Sequence, residues 1–401
     1  MICLTVLVLV AGRGDYRPSA MELALKPYGY SLVKWELSNF LDKWVRQAGF
    51  LLPWRSKVSR AERNDLVGEF FDLGRDQKDL ARRLRFPDNA GRQRATKDLE
   101  SLRAEAAAIE QRRQAILPRV EEAIESEVSA ILAQEGFASR IGLIFPPVDT
   151  VFSSSPSVLV LSPRDRIHRN RTVLLMPGIT DEEREGIEEL IFQQENLAAL
   201  VADTGGVATY PSLVSDAGSQ HHAVVITAHE WLHHWFFFQP LGQHFWDSGD
   251  MTTLNETAAT QGGQEIGDLA FTAMTGQRVT RQAEPPPRPG SDAFDFNRAM
   301  RETRQQTEVL LAQGRIEEAE AYMEERRQLM VANGHVIRKI NQAFFAFHGS
   351  YADSPASISP INEQLKELRR RSDSLQGFLE SVASFSSYEE FLEGLERALT
   401  E

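Results

Sequence analysis

The chain opens on an apolar, β-branched run, Ile2 to Gly12, and turns polar over Arg13 to Ala20. Crossing a bilayer as a helix takes about 20 apolar residues, so this run alone is too short to span one. The expectation is the tail of a hydrophobic anchor continued upstream; a buried strand is the other reading. From Ser31 to Ala48, apolar residues at Val33, Leu37, Phe40, Leu41, Trp44 and Val45 form a helical stripe. Trp35, Trp44 and Trp54 fit an interfacial helix, although core packing explains the same stripe. Gly91 then separates two charged helical runs. The second places Leu99, Leu102, Ala106, Ile109, Ile116 and Val120 at spacings of three, four and seven, close to a heptad seam. A helical hairpin is predicted over Ala61 to Gln134.

At Ile141 the period shortens. IGLIF, SVLVLS and TVLLMP are short runs bounded by Pro, Ser and Asp, and each predicts a strand. Thr180 with Glu183 makes a capping box that opens a helix to about Gln194. GGVATYPSLV is a further strand with glycines at its start. Ser219 caps an apolar helix that ends near Gln239-Pro240, and a second helix is expected from about Thr253. Gln277 to Asp292 is polar and Pro-rich. Helices rich in Glu, Arg and Gln resume at Phe296, break near Ser350 to Pro360, and continue to the end. The segments are therefore 1–54 (apolar run and amphipathic helix), 55–139 (hairpin), 140–276 (mixed core), 277–294 (Pro-rich loop) and 295–401 (helical). This is an α+β pattern, mainly helical.

Composition narrows the function. Of 401 residues 42% are hydrophobic and 25% charged, which excludes a disordered or fibrous chain. Mean hydropathy is −0.33, unlike a polytopic membrane protein. A net charge of −13 argues against nucleic-acid binding, despite a local basic excess between Arg55 and Arg119. That excess reads as the solvated face of the hairpin. The single cysteine, Cys3, rules out an internal disulfide and Cys-rich metal sites, so any metal must sit on His, Asp or Glu. Six of the nine histidines fall between His221 and His244.

Within that cluster stands HExxH, His229-Glu230-Trp231-Leu232-His233. Residues four apart share a helix face, so His229 and His233 offer two imidazoles to one ion. Glu230, one residue along, reaches water at that ion without ligating it. Zn²⁺ suits two imidazoles and a carboxylate with one position left open, and it makes water acidic enough to supply hydroxide near neutral pH. A buried aromatic helix whose histidines only hydrogen-bond is the plain alternative. The third ligand is not the His of HExxHxxGxxH, because Phe236 and Gln239 occupy the Gly and His positions. Downstream lies Asn255-Glu256-Thr257-Ala258-Ala259-Thr260. Glu256 also completes a capping box with Thr253, so a helix cap and a ligand are both open for it.

With HExxH on one helix and NExxA on a second, residues 221–268 resemble the gluzincins, a group of zinc metallopeptidases. Asn255 to Thr260 is more loosely similar to the NESxAT segment of bacterial aminopeptidase-like families. The resemblance implies a zincin-like core with a small mixed sheet, flanked by helical amino- and carboxy-terminal parts. It further implies zinc on His229, His233 and Glu256, Glu230 as general base, and a peptide or protein as substrate. Thr260, one turn on from Glu256, is a candidate to steady a ligand. His222 is too far along the helix to share the metal, and His234 and His244 read as surface or packing residues. Gluzincins commonly stabilise the oxyanion with a Tyr or His after the ligand helix; Tyr351 is the favoured candidate, ahead of His348 and His335. GGVATYPSLV is a candidate edge for binding substrate backbone. The amino-terminal run adds possible membrane association, with an extracytoplasmic site expected and a cytoplasmic one as the alternative. A membrane-associated helical scaffold with a non-catalytic metal site is the rival function.

Overall fold

The computed structural model describes residues 19–36, 38, 59–85, 95–279 and 294–400. The run at Ile2–Gly12, Trp44, Trp54 and most of the Pro-rich loop lie outside them. In chain order the helices are α1 (Ala20–Leu25), α2 (Arg60–Arg85), α3 (Ala95–Gln134), α4 (Asp181–Glu195), α5 (Gln220–Phe237), α6 (Pro240–Gln243) and α7 (Gly249–Thr275). Then follow α8 (Phe296–Ala312), α9 (Ile316–Ala332), α10 (Gln342–His348), α11 (Ile361–Arg371), α12 (Leu375–Ala383) and α13 (Tyr388–Thr400). The strands are β1 (Thr150–Ser153), β2 (Ser157–Pro163), β3 (Arg171–Leu175), β4 (Leu197–Asp203), β5 (Gly206–Val207) and β6 (Ser212–Ser215). The protein is α+β and mainly helical. Among the described residues no helix is long and apolar enough to cross a membrane.

The hairpin forms. Ile116 and Val120 of its seam are buried, and the same face of α3 continues through Ile124, Val128 and Leu132. Part of the basic excess is neutralised across the hairpin, where Arg112 grips Glu69 and Arg60 pairs with Glu127. Val67, Phe70 and Val120 of the hairpin share one apolar core with Leu232 of α5, Leu254 of α7 and Phe378 of α12. Burial of this kind contributes about 25 cal/mol per Å² of apolar surface, and it fixes α5 from several sides.

The strands form two three-stranded sheets, where one small sheet was expected. In the first, β1 runs parallel to β6, and β6 runs antiparallel to β5. In the second, β2 lies between β3 and β4, antiparallel to both. Three local expectations are corrected. Ile141 to Phe145 is not a strand: Gly142 takes φ 78°, Ser139 and Leu143 bond to each other, and two prolines follow. That is a closed turn leaving Ile141, Leu143 and Phe145 exposed. GGVATYPSLV divides into β5 and β6, with Pro211, which supplies no ladder donor, just before β6. Finally, the second ligand helix starts at Gly249 rather than near Thr253, since Ser248 caps it by accepting from the Met251 N–H.

Among the described residues, α5 and α7 pack against each other along much of their length. Gly263 lies against the His229 backbone, where an added Cβ would sit 2.8 Å from its Cα. At Gly267 the corresponding atom would be 2.6 Å from the Cα of Val225. Glycine at both places lets the helix axes approach closely, and the two HExxH histidines face α7 across this seam.

Candidate metal centre

His229, Glu230 and His233 lie in the middle of α5, and Glu256 lies in the second turn of α7. Glu256 is therefore not in the first turn, and the capping-box reading of Thr253 does not apply. The His229 and His233 Nε2 atoms are 3.0 Å apart. The nearest Glu256 oxygen is 3.4 Å from His233 and 3.8 Å from His229. Four ligands at 2.0–2.1 Å around a tetrahedral zinc stand about 3.3 Å from one another, so this donor set fits the ion in spacing as well as chemistry. It is the one His/Cys/Asp/Glu group of three or more among the described residues with donor atoms close enough to hold a metal.

The neighbours aim the ligands. The Asn255 Oδ1 lies 2.9 Å from His233 Nδ1; an amide oxygen only accepts, so Nδ1 carries a proton and Nε2 is the atom that faces the site, able to ligate once its own proton leaves. The Ala259 backbone, one turn on from Asn255, does the same service for the His229 ring. Thr260, the candidate for a steadying role, makes no hydrogen bond to a ligand among the described residues. Asn255 carries it instead, and its place beside Glu256 in the NExxA run was the available signal.

Burial and mutual charge set the protonation states. Burial pushes the Glu230 carboxyl up to about 7; Glu256 adds to the rise, and His233 opposes it. Burial also opposes ionisation of Glu256, but the charge and hydrogen bond of His233, with help from His229 and Arg169, hold it down at about 2. His233 rises to about 9, because the Glu256 charge outweighs burial. His229 falls to about 3 through burial and the neighbouring His233. One buried proton thus belongs to His233, 3.0 Å from His229 Nε2 and ion-paired with Glu256, at the spot where a cation would be held.

The site lies in a cleft of about 700 Å³. Tyr351 lines it as expected, hydrogen-bonded to Glu256, and its pKa is raised well above 10 by the Glu256 charge, by burial and by Glu230. The Ala352 N–H on Thr257 Oγ1 ties this loop to α7 at 3.1 Å. The rivals fall away from the cleft: His335 stacks on Phe296 and His348 packs on Phe344 and Phe347. His222 sits at the start of α5, where Ser219 accepts from its N–H. His244 is on the surface with Asp247.

Of the surface and packing readings of His234, the structure shows packing, but within the cleft. The imidazole lines the cleft against Tyr210, and burial pushes it down to about 4. Sequence reading also missed Gly206, where a Cβ would fall 2.5 Å from Glu230 Oε1. A side chain at this point of β5 would crowd the base. Comparison with protein-family models, curated proteins and solved structures finds no match to this chain.

Proposed function

We propose that this protein is a zinc-dependent peptidase with a gluzincin-like arrangement, hydrolysing peptide bonds with Glu230 as general base. The observation that carries the reading is the convergence of two helices on one buried donor set, with a carboxylate of raised pKa beside it in an open cleft. Zinc held by His229, His233 and Glu256 would supply a Lewis acid for the scissile carbonyl and acidify water at that point. Glu230, with a pKa close to neutral, accepts a proton from the attacking water and returns it to the leaving amine. Tyr351, kept protonated by the charges around it, donates to the developing oxyanion. β5 is an edge strand that also lines the cleft, so its backbone offers pairing to an extended substrate. Membrane association stays part of the proposal on the strength of the apolar run at residues 2–12.

The test is metal analysis of purified wild-type, His229→Ala and Glu230→Gln proteins, alongside peptide hydrolysis. One zinc per chain in wild type and Glu230→Gln, none in His229→Ala, and hydrolysis by wild type alone support the reading. Zinc in all three overturns the ligand set. Zinc bound without hydrolysis by wild type favours the scaffold.

A further inference from the structure

The cleft walls are built from residues with no part in the chemistry. Phe145 packs on Phe238, Phe237 on Phe238, and Phe245 on Trp246, with ring centroids 4.6–5.3 Å apart. All of them line the cleft. Phe145, Phe237, Phe238 and Trp246 are nonetheless 51–81% exposed, so the apolar wall runs out of the cleft onto its lip. Exposed aromatic surface of this kind, contiguous with a cavity, marks a site for an apolar partner.

The charged groups complete the argument. Among the described residues that line the cleft, the only carboxylates are Glu230 and Glu256, and there is no Lys or Arg. Both carboxylates are taken by the metal chemistry. Glu125 and Asp149 lie behind Tyr210 and raise its pKa, and Glu125 is engaged by the Thr150 N–H. Arg169, whose charge acts on Glu256 and Tyr351, lies 5.9 Å from the centre of the Trp246 ring and is not among the residues lining the cleft. A substrate ammonium or carboxylate entering here would lose water without gaining a partner.

We infer that the cleft takes internal stretches of peptide bearing bulky uncharged side chains beside the scissile bond, and holds neither chain terminus. The inference rests on the peptidase reading and settles its form as an endopeptidase with apolar preference.

The test uses zinc-loaded Glu230→Gln protein and peptides blocked at both ends, with Phe-Leu, Glu-Glu or Lys-Lys at the centre. Binding is read by tryptophan fluorescence and calorimetry. Phe-Leu should bind at least about 10-fold tighter than either charged peptide, the scale on which apolar pockets discriminate. Freeing either terminus should change affinity by less than about threefold, well inside that scale. Phe238→Arg, a change at an exposed position, should weaken Phe-Leu and strengthen Glu-Glu. Equal affinities, or no binding of any peptide, overturn the inference. So does a gain of about 10-fold or more on freeing the amino terminus, or on freeing the carboxylate, which would assign Arg169 as a terminal anchor. Wild type is assayed on the same peptides. Binding in the expected order without cleavage removes the peptidase reading and leaves an apolar peptide site. Cleavage of all three at equal rates keeps the peptidase and removes the preference.

Discussion

Two buried glutamates on helices consecutive in the chain show how differently one side chain can be held. Glu188, on α4, is 2% exposed, and Glu230, on α5, is 6% exposed. Glu188 receives Arg338 at 2.8 Å, Lys339 at 2.6 Å and the Val201 N–H at 2.7 Å. Burial by itself would raise its pKa, yet these partners together hold it below the ordinary carboxylate value. Among the described residues the Glu230 carboxylate makes no hydrogen bond, and its pKa goes up to about 7. A buried charge is stable when every lone pair is matched and reactive when it is not. The Glu188 region is built for permanence, the Glu230 region for exchange.

Substitution should separate the two. Glu230→Gln is expected to lower kcat by about 10²- to 10⁴-fold, the usual loss when a general base is removed. The thermal midpoint should hold or rise, because an unpaired buried carboxyl has been neutralised. A large loss of stability with activity retained would invert the comparison. Glu188→Ala should do the opposite. Leaving Arg338 and Lys339 without their anion should cost about 3 kcal/mol of unfolding free energy, the lower end for broken buried pairs because both cations keep some solvent contact. Chemical denaturation measures that cost, and the zinc-loaded fraction that stays folded should keep wild-type kcat.

The pH dependence of Glu188 follows from the direction of its shift. Its folded pKa lies below the unfolded one, so its contribution is fully present above about pH 4.5 and disappears as pH falls through the folded value. Denaturation midpoints measured from pH 6 to 3 should therefore drop more steeply in wild type than in Glu188→Gln. Parallel curves would mean that the pair gives no net stability. Next in size is Asn255→Ala. With the His233 ring no longer aimed, zinc affinity should weaken about 10- to 100-fold while the fold persists, as competition with a chelator would show. The smallest signal is the proton count. His233 is protonated below about pH 9, so zinc uptake at pH 7 should release about one proton, read by calorimetry in buffers of different ionisation heat.

Some of this was legible in the chain. Four-residue spacing put His229 and His233 on one face, and Ser219 and Thr180 both cap their helices as their positions suggested. Of the hairpin seam read from its heptad spacing, Ile116 and Val120 are buried. Other parts needed three dimensions. β4 (LAALVAD) is rich in alanine, a weak strand former, and β1 is four residues long, so neither stood out. Ile141 to Phe145 looked like a strand because its composition is apolar, but Gly142 and the following prolines decide its backbone. Tyr351 is 95 residues beyond Glu256 and reaches it only because the chain folds back onto Thr257. His234 was not placed in the cleft, because nothing in the spacing showed that Tyr210, between β5 and β6, would cover it.

The glycines of the α5–α7 seam have a consequence for how accurately the site can be reproduced. Where Gly263 meets the His229 backbone, no flexible side chain stands between the two helices to absorb an error. Sliding α7 by a single residue would carry Glu256 about 1.5 Å along the axis, close to three-quarters of a zinc–ligand bond. The seam works as a mechanical stop: main chain against main chain indexes the third donor to the first two, and every folded copy of the protein inherits the same alignment.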